Sequence, residues 1–312
     1  MRRHRYPIIT AALIGGALTF SSCSSSSPAT DASGASTTSK FPVMLRASNG
    51  NVTIPRRPTR IMSLSASATS MIYAMGAGPQ VVAVDQYSTD PPNAPRTSLS
   101  GFETGAESYL SYKPDLVVLA QEQGSVVAQL AAVDVPTLVL SPAGSLRDSY
   151  AQISLLGRAT GHGAGAAAEH ASIARRLAAI VRSVGGRARG VTYYHELDPT
   201  LYSTTSHTFI GALYASLGMV NVADRASTGG NDYPQLSPEA LIRANPDDVF
   251  LADVTCCAQS ATTFAARPGF SLLRAVTGHH VFTIPDSIAS EWGPRVVDFL
   301  QMVADDLKKA GQ

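Results

Sequence analysis

Three groups of side chains in this sequence have the type and spacing for recognition or reaction. The first sits in loops that follow short apolar runs: Ser65–Ser67, Asp85–Tyr87, Ala120–Gln123, Glu196–Pro199, Asp253–Cys257 and Asp286–Trp292. If those runs are strands of open parallel sheets, the loops are the strand ends at which ligands gather. Ser67, Tyr87, Gln121, Gln123 and Trp292 lie on or beside them, and Tyr202, His207 and Tyr233 lie farther along the connecting segments. Aromatic rings supply contact area and amides orient polar edges, which describes a binding pocket rather than a reaction centre. Arg295 and Arg96 are cations within reach of the same region.

The second group is a pair of glutamates in a repeated setting. Glu107 opens a segment that reaches Lys113-Pro114-Asp115 and then Leu116–Ala120; Glu239 opens one that reaches Asn245-Pro246-Asp247 and then Asp248–Ala252. Each reads as a short helix, a Pro-Asp turn and a buried strand, with the glutamate six residues before the Lys or Asn. An acid in a first helical turn gains about 0.3–1 kcal/mol from the dipole.

The third group is Cys256-Cys257. In an exported chain two adjacent thiols tend to oxidise, and neighbours can close only a strained ring, so either a vicinal disulfide or two free thiols fits the sequence. Covalent catalysis otherwise has little to use. There is no G-x-S-x-G, no H-E-x-x-H and no P-loop, and no His-rich loop that would collect bare zinc or manganese. Gly161, Gly163 and Gly165 imitate part of a dinucleotide fingerprint, but no strand precedes them. An exported redox enzyme or hydrolase using Cys256 and Cys257 is the alternative to binding, with no catalytic residue expected in the main reading.

Positioning these groups requires two α/β bodies and something to hold them. Residues His162–Val184 are Ala-rich and Pro-free, with Ile173, Leu177, Ile180, Val181 and Val184 along one helical stripe. At 1.5 Å per residue this helix is roughly 33 Å long. Strand and helix signals alternate on both sides of it, which predicts doubly wound parallel sheets. Before it come strands near 61–65, 81–85, 116–119 and 137–140, with Ser67 or Thr69 as the cap of the first helix. After it come strands near 191–195, 249–251 and 281–284 and helices near 208–217, 238–244 and 294–309. The fold class is α/β, two lobes joined by one long helix: residues 53–161, the helix 162–186, and residues 187–312.

The leader is read separately. Arg2, Arg3 and Arg5 precede an apolar run from Ile8 to Phe20 and small residues leading to Cys23, the order of an export signal over residues 1–23. Phe20-Ser-Ser-Cys23 resembles a lipoprotein cleavage box, with phenylalanine where an aliphatic residue is usual, making Cys23 the candidate lipidation site. Residues 24–52 open with a Ser/Thr/Ala/Gly stretch too polar to fold alone, and read as a flexible tether and lead-in. A formal net charge of +1 over 312 residues gives no basic surface for nucleic acid.

Several short motifs carry a family resemblance. Arg60-Ile-Met-Ser-Leu-Ser-Ala-Ser-Ala-Thr69, Gly76-Ala-Gly78, Tyr87-Ser-Thr-Asp-Pro-Pro92, Lys113-Pro-Asp-Leu116, Asn245-Pro-Asp247 and Gly293-Pro-Arg295 occur in the order found in substrate-binding proteins of bacterial ABC importers for ferric siderophores, haem and cobalamin. The resemblance covers residues 55–309. It implies two lobes spanned by a rigid helix and a bulky metal chelate carried as ligand, with no cofactor and no resident metal. It also implies a monomer anchored by lipid to the outer face of the membrane, with Glu107 and Glu239 meeting arginines of the importer's membrane subunits. Tyr87 and Tyr233 fall where related cobalamin binders carry pocket aromatics. Glu103 stands near the place of an arginine in hydroxamate-siderophore binders, which leans toward a neutral or cationic ligand. Haem would need an axial ligand, and His195, His207, Tyr193, Tyr194 and Met71 are the available types.

Overall fold

The computed structural model describes residues 40–312 apart from Glu103, Thr104 and Gln123, all within one compact unit, Ser36–Gln312. Cys23 and the leader lie outside the described residues, as do Gln123 and Glu103.

The folded chain opens with a hairpin rather than a lead-in. β1 (Val43–Ala47) pairs antiparallel with β2 (Gly50–Ile54), Val43 opposite Ile54 and Ala47 opposite Gly50. Its turn is stitched to the first lobe: the Ser48 N–H donates to Val139 O at 2.9 Å, and the Asn49 side chain bonds both Thr137 O and the Val139 N–H. Leu45 and Ile54 enter the main core, so the segment expected to be a polar approach to the lobe is part of it from residue 43 onward.

The first lobe then runs β3 (Ile61–Leu64), α1 (Ala66–Ala74), β4 (Val81–Val84), α2 (Glu107–Leu110), β5 (Leu116–Leu119), α3 (Val126–Ala131) and β6 (Thr137–Val139). Its sheet is parallel in the order β4-β3-β5-β6. Alternate strand residues face opposite layers: Leu116 and Val118 join the main core, whereas Val117 and Leu119 join a separate cluster around Tyr109 and Leu130. Burial on both faces explains why these strands read as unbroken apolar runs.

Two helices follow. α4 (Leu146–Thr160) is not signalled by the sequence reading; α5 (Gly163–Val184) is the helix that was. Ile173, Leu177, Ile180 and Val184 are buried as the stripe predicts, and Val181 at its margin is half-buried. Gly165 has a packing role, not a nucleotide one: a Cβ there would stand 2.1 Å from Met75 O, so only glycine lets α5 lie this close to the end of α1.

The second lobe repeats the scheme with β7 (Thr192–Glu196), α6 (Phe209–Ser216), β8 (Val220–Asn221), α7 (Pro238–Ala244), β9 (Asp248–Leu251), α8 (Val254–Cys257), α9 (Ala261–Ala265), α10 (Arg274–Thr277), β10 (Val281–Thr283), α11 (Asp286–Ala289) and α12 (Val296–Lys309). Its parallel order β8-β7-β9-β10 matches the first sheet strand for strand. α12 lays Val296, Phe299, Leu300, Val303 and Leu307 into the core shared with α5.

The repeat seen in the sequence has a local cause. Lys113 and Asn245 both adopt left-handed backbone, φ 49° and 43°; Asn245 is the C-cap of α7, and Lys113 follows two residues after Ser111, the C-cap of α2. Two residues later, Asp115 accepts the N–H groups of Thr59 and Arg60 at 2.9 and 2.8 Å, and Asp247 accepts the Thr192 N–H at 2.9 Å. Each aspartate thus pins the strand after its turn to the entry of the neighbouring strand, β3 in one lobe and β7 in the other.

Candidate ligand-binding site

The ends of β3, β4 and β5 surround a cavity of about 330 Å³. Four of the expected residues line it: Ser67, Tyr87, Gln121 and Trp292. It is completed by residues whose functional signal is weak in sequence, among them Asp85, Phe102 and Ser290.

The local construction departs from expectation at the start of α1. Ser65, not Ser67 or Thr69, is the N-cap, its hydroxyl accepting the Ala68 N–H at 3.3 Å. Thr69 is turned inward to the hydroxyls of Ser63 and Ser88 at 2.8 and 2.9 Å. Ser67 is therefore left for another partner, and its Oγ accepts the Trp292 N–H at 3.1 Å. The Trp292 indole donates to Gln152 Oε1 of α4 at 2.7 Å, and its carbonyl accepts the Ser149 hydroxyl. Gly293 makes this docking sterically feasible, because a Cβ there would lie 2.9 Å from Ser70 Oγ and 3.1 Å from Ser67 O. The segment after α11 is thus fastened to α1 and α4 of the first lobe.

At the rim, Tyr87 and Phe102 meet edge to face, 6.2 Å between centroids and 81° between planes. They are 53% and 59% exposed, an unusual cost for two large rings unless something covers them. Beneath them the polar character is acidic. Burial pushes the Asp85 carboxyl upward although Ser88 donates to it. Glu291, buried beside the cavity, is raised to about 7 by burial and by Asp90, with Arg295 at 3.3 Å opposing the shift. No lysine, arginine or histidine lines the cavity among the described residues.

The remaining candidates are placed elsewhere. Arg295 is committed to Glu291. Tyr202 bridges to Gln235 and is 41% exposed, Tyr233 is 53% exposed, and His207 is exposed; none of the three lines this cavity. Four of the five residues considered as haem axial ligands are removed by burial. Met71, Tyr193, Tyr194 and His195 are at most 1% exposed, and the His195 Nδ1 pairs with the Tyr214 hydroxyl at 3.0 Å. Burial also lowers the His195 pKa to about 3. His207 alone of that set reaches solvent.

At the strand ends of the second lobe, Glu196 and Asp253 are wholly buried. Arg267 forks onto Glu196 with contacts of 2.7 and 2.5 Å and also donates to Gln259 Oε1. Asp253 is raised to about 7, first by burial and then by Glu196. Cys256 is exposed and Cys257 half-buried, both free. Glu107 and Glu239 are both exposed on the first turns of α2 and α7.

A two-lobed body with matched parallel sheets, a connecting helix and an aromatic-rimmed cavity at the strand ends defines a ligand-capture protein. The chain belongs to the periplasmic binding protein family, whose model matches residues 61–288, as the sequence motifs had implied. It is 27% identical over 315 residues to an uncharacterized ABC transporter substrate-binding lipoprotein, YvrC, of Bacillus subtilis, covering 96% of each chain. It is 30% identical over 269 residues to a cobalamin-binding protein of Halobacterium salinarum, covering 83% of this chain and 72% of that one. Among solved structures, the periplasmic haem-binding protein RhuT of Roseiflexus sp. RS-1 superposes with a TM-score of 0.72 at 23% identity, covering 82% of this chain and all of that one.

Proposed function

We infer that this protein is an extracytoplasmic solute-binding protein that captures a cobalamin-type corrinoid and presents it to an ABC importer. Export and a lipid anchor at Cys23 would hold it at the outer face of the membrane, as a monomer, with Glu107 and Glu239 engaging the importer's membrane subunits. Transport energy then comes from the partner ATPase, and the chain itself performs no covalent chemistry.

The observation that carries the corrinoid reading is the character of the cavity: exposed Tyr87 and Phe102 at the rim, amide and hydroxyl groups within, and acid with no lining cation among the described residues. Rings offer a flat apolar face to a macrocycle, and polar side chains suit neutral amide substituents. Anionic ferric siderophores and haem propionates call instead for arginine or lysine. The cobalamin-binding relative points the same way. Haem is the second reading, favoured by the exposed Tyr87 phenol, a type of group able to ligate ferric iron.

The test is a titration followed by Trp292 fluorescence, since Trp292 is the only tryptophan and lines the cavity. Saturable quenching by cyanocobalamin, with no response to a ferric hydroxamate and a weaker one to haem, is the expected result. Saturable binding of the ferric hydroxamate without any response to the corrinoid would overturn the reading.

A further inference from the structure

Cys256 and Cys257 are left without a role by ligand capture. They end α8, a single helical turn with no side-chain N-cap from its own N-cap residue. Asp286, at the start of α11, supplies that cap: its two carboxylate oxygens accept the N–H groups of Thr255 and Cys256, each at 2.8 Å. One turn beyond Asp286 the chain reaches Ser290 and Trp292 in the cavity wall.

We propose that Cys256 and Cys257 form a redox-modifiable pair, closed by a disulfide donor into a bond between adjacent residues, and that closure resets the cavity wall through Asp286. Cys257 thiolate attacks one sulfur of the donor disulfide and displaces a donor thiolate. Cys256 gives up its proton and attacks the Cys257 sulfur of the mixed disulfide, displacing the second donor half. Two S–H groups are exchanged for one S–S bond, and the donor leaves as two thiols. The Cys256 thiol is pushed up to about 12 by burial, Cys257 and Asp286, which disfavours it as the first attacker.

The coupling follows from reach. Adjacent side chains leave a helix about 100° apart around its axis and do not face each other, whereas a disulfide brings its two Cβ atoms to about 3.5–4.5 Å. Closure therefore cannot retain helical backbone at both residues. α8 unwinds, the Cys257 N–H leaves Asp253 O, now 3.3 Å away, and the Asp286 clamp loses the Cys256 N–H.

The experiment uses the chain carrying Cys23→Ser, so that two cysteines remain, treated with oxidised glutathione. Both thiols should disappear together, with peptide mass mapping showing loss of two hydrogens and no glutathione adduct. Trp292 emission should change and return on reduction, with no ligand present. Cys256→Ser should instead trap a glutathione adduct on Cys257. Two persistent free thiols, two stable adducts or an intermolecular dimer would overturn the bond. An internal disulfide with unchanged Trp292 emission would overturn the coupling, whatever ligand the cavity takes.

Discussion

The Trp292 backbone N–H donates to Ser67 Oγ at 3.1 Å, joining residues 225 positions apart. This contact seats the post-α11 segment on the first turn of α1 and fixes one wall of the cavity. Ser67→Ala removes the acceptor and leaves a part-buried donor, at a cost of about 1 kcal/mol. A melting temperature lowered by a few degrees and a red-shifted Trp292 emission are expected, the second being the more diagnostic.

The rim aromatics should matter for affinity and hardly at all for stability, since both are more than half exposed. Tyr87→Ala and Phe102→Ala should each weaken corrinoid binding about tenfold, or about 1.4 kcal/mol. Isothermal titration measures this directly, and the double variant should lose less than the product of the two because the rings touch.

Glu107 and Glu239 do not line the cavity and are exposed. Reversing both charges, Glu107→Lys with Glu239→Lys, should reduce uptake in whole cells by about tenfold or more while ligand affinity stays within about twofold. Unimpaired uptake would remove the docking role.

Stability should fall as pH rises from about 4 to about 7. Asp253 in the folded chain is raised to about 7 by burial and by Glu196, whereas an unfolded aspartate titrates near 3.9. Folding therefore favours the protonated carboxyl. The resulting stabilisation is complete below the unfolded value and is lost as pH rises through about 7. Asp248 and Glu291, each also raised to about 7 by burial, act in the same direction. Asp253→Asn should flatten the decline in melting temperature between about pH 4 and 7, as scanning calorimetry will show.

Gly165→Ala, with its added carbon 2.1 Å from Met75 O, must push α5 away from α1. A melting temperature lower by several degrees is expected, with the far-UV circular dichroism unchanged.

How far the sequence disclosed this molecule differs from element to element. α5 and the strands buried on both faces carry strong periodicity or unbroken apolar runs, and the sequence reading locates each to within a residue or two. The hairpin β1–β2 has no such signal: its second strand, Gly-Asn-Val-Thr-Ile, is held by Asn49 reaching to β6, a partner 88 residues away. α4 mixes charged with apolar residues and carries no unbroken apolar run that marks it in the sequence. At the site, strand-end logic recovers Ser67, Tyr87, Gln121 and Trp292. It passes over Phe102, which lies in a loop beyond any strand end. His195 and Tyr193 were read for chemical type, which gives no warning that a neighbouring helix will bury them.

The matched staples at Asp115 and Asp247 carry a last consequence. Each half of the molecule presents a glutamate-bearing helical turn over an identical Pro-Asp corner and a sheet of the same strand order. A receiver with two like sites would then meet the same local motif at either half, a helical turn carrying one acid followed by a Pro-Asp corner.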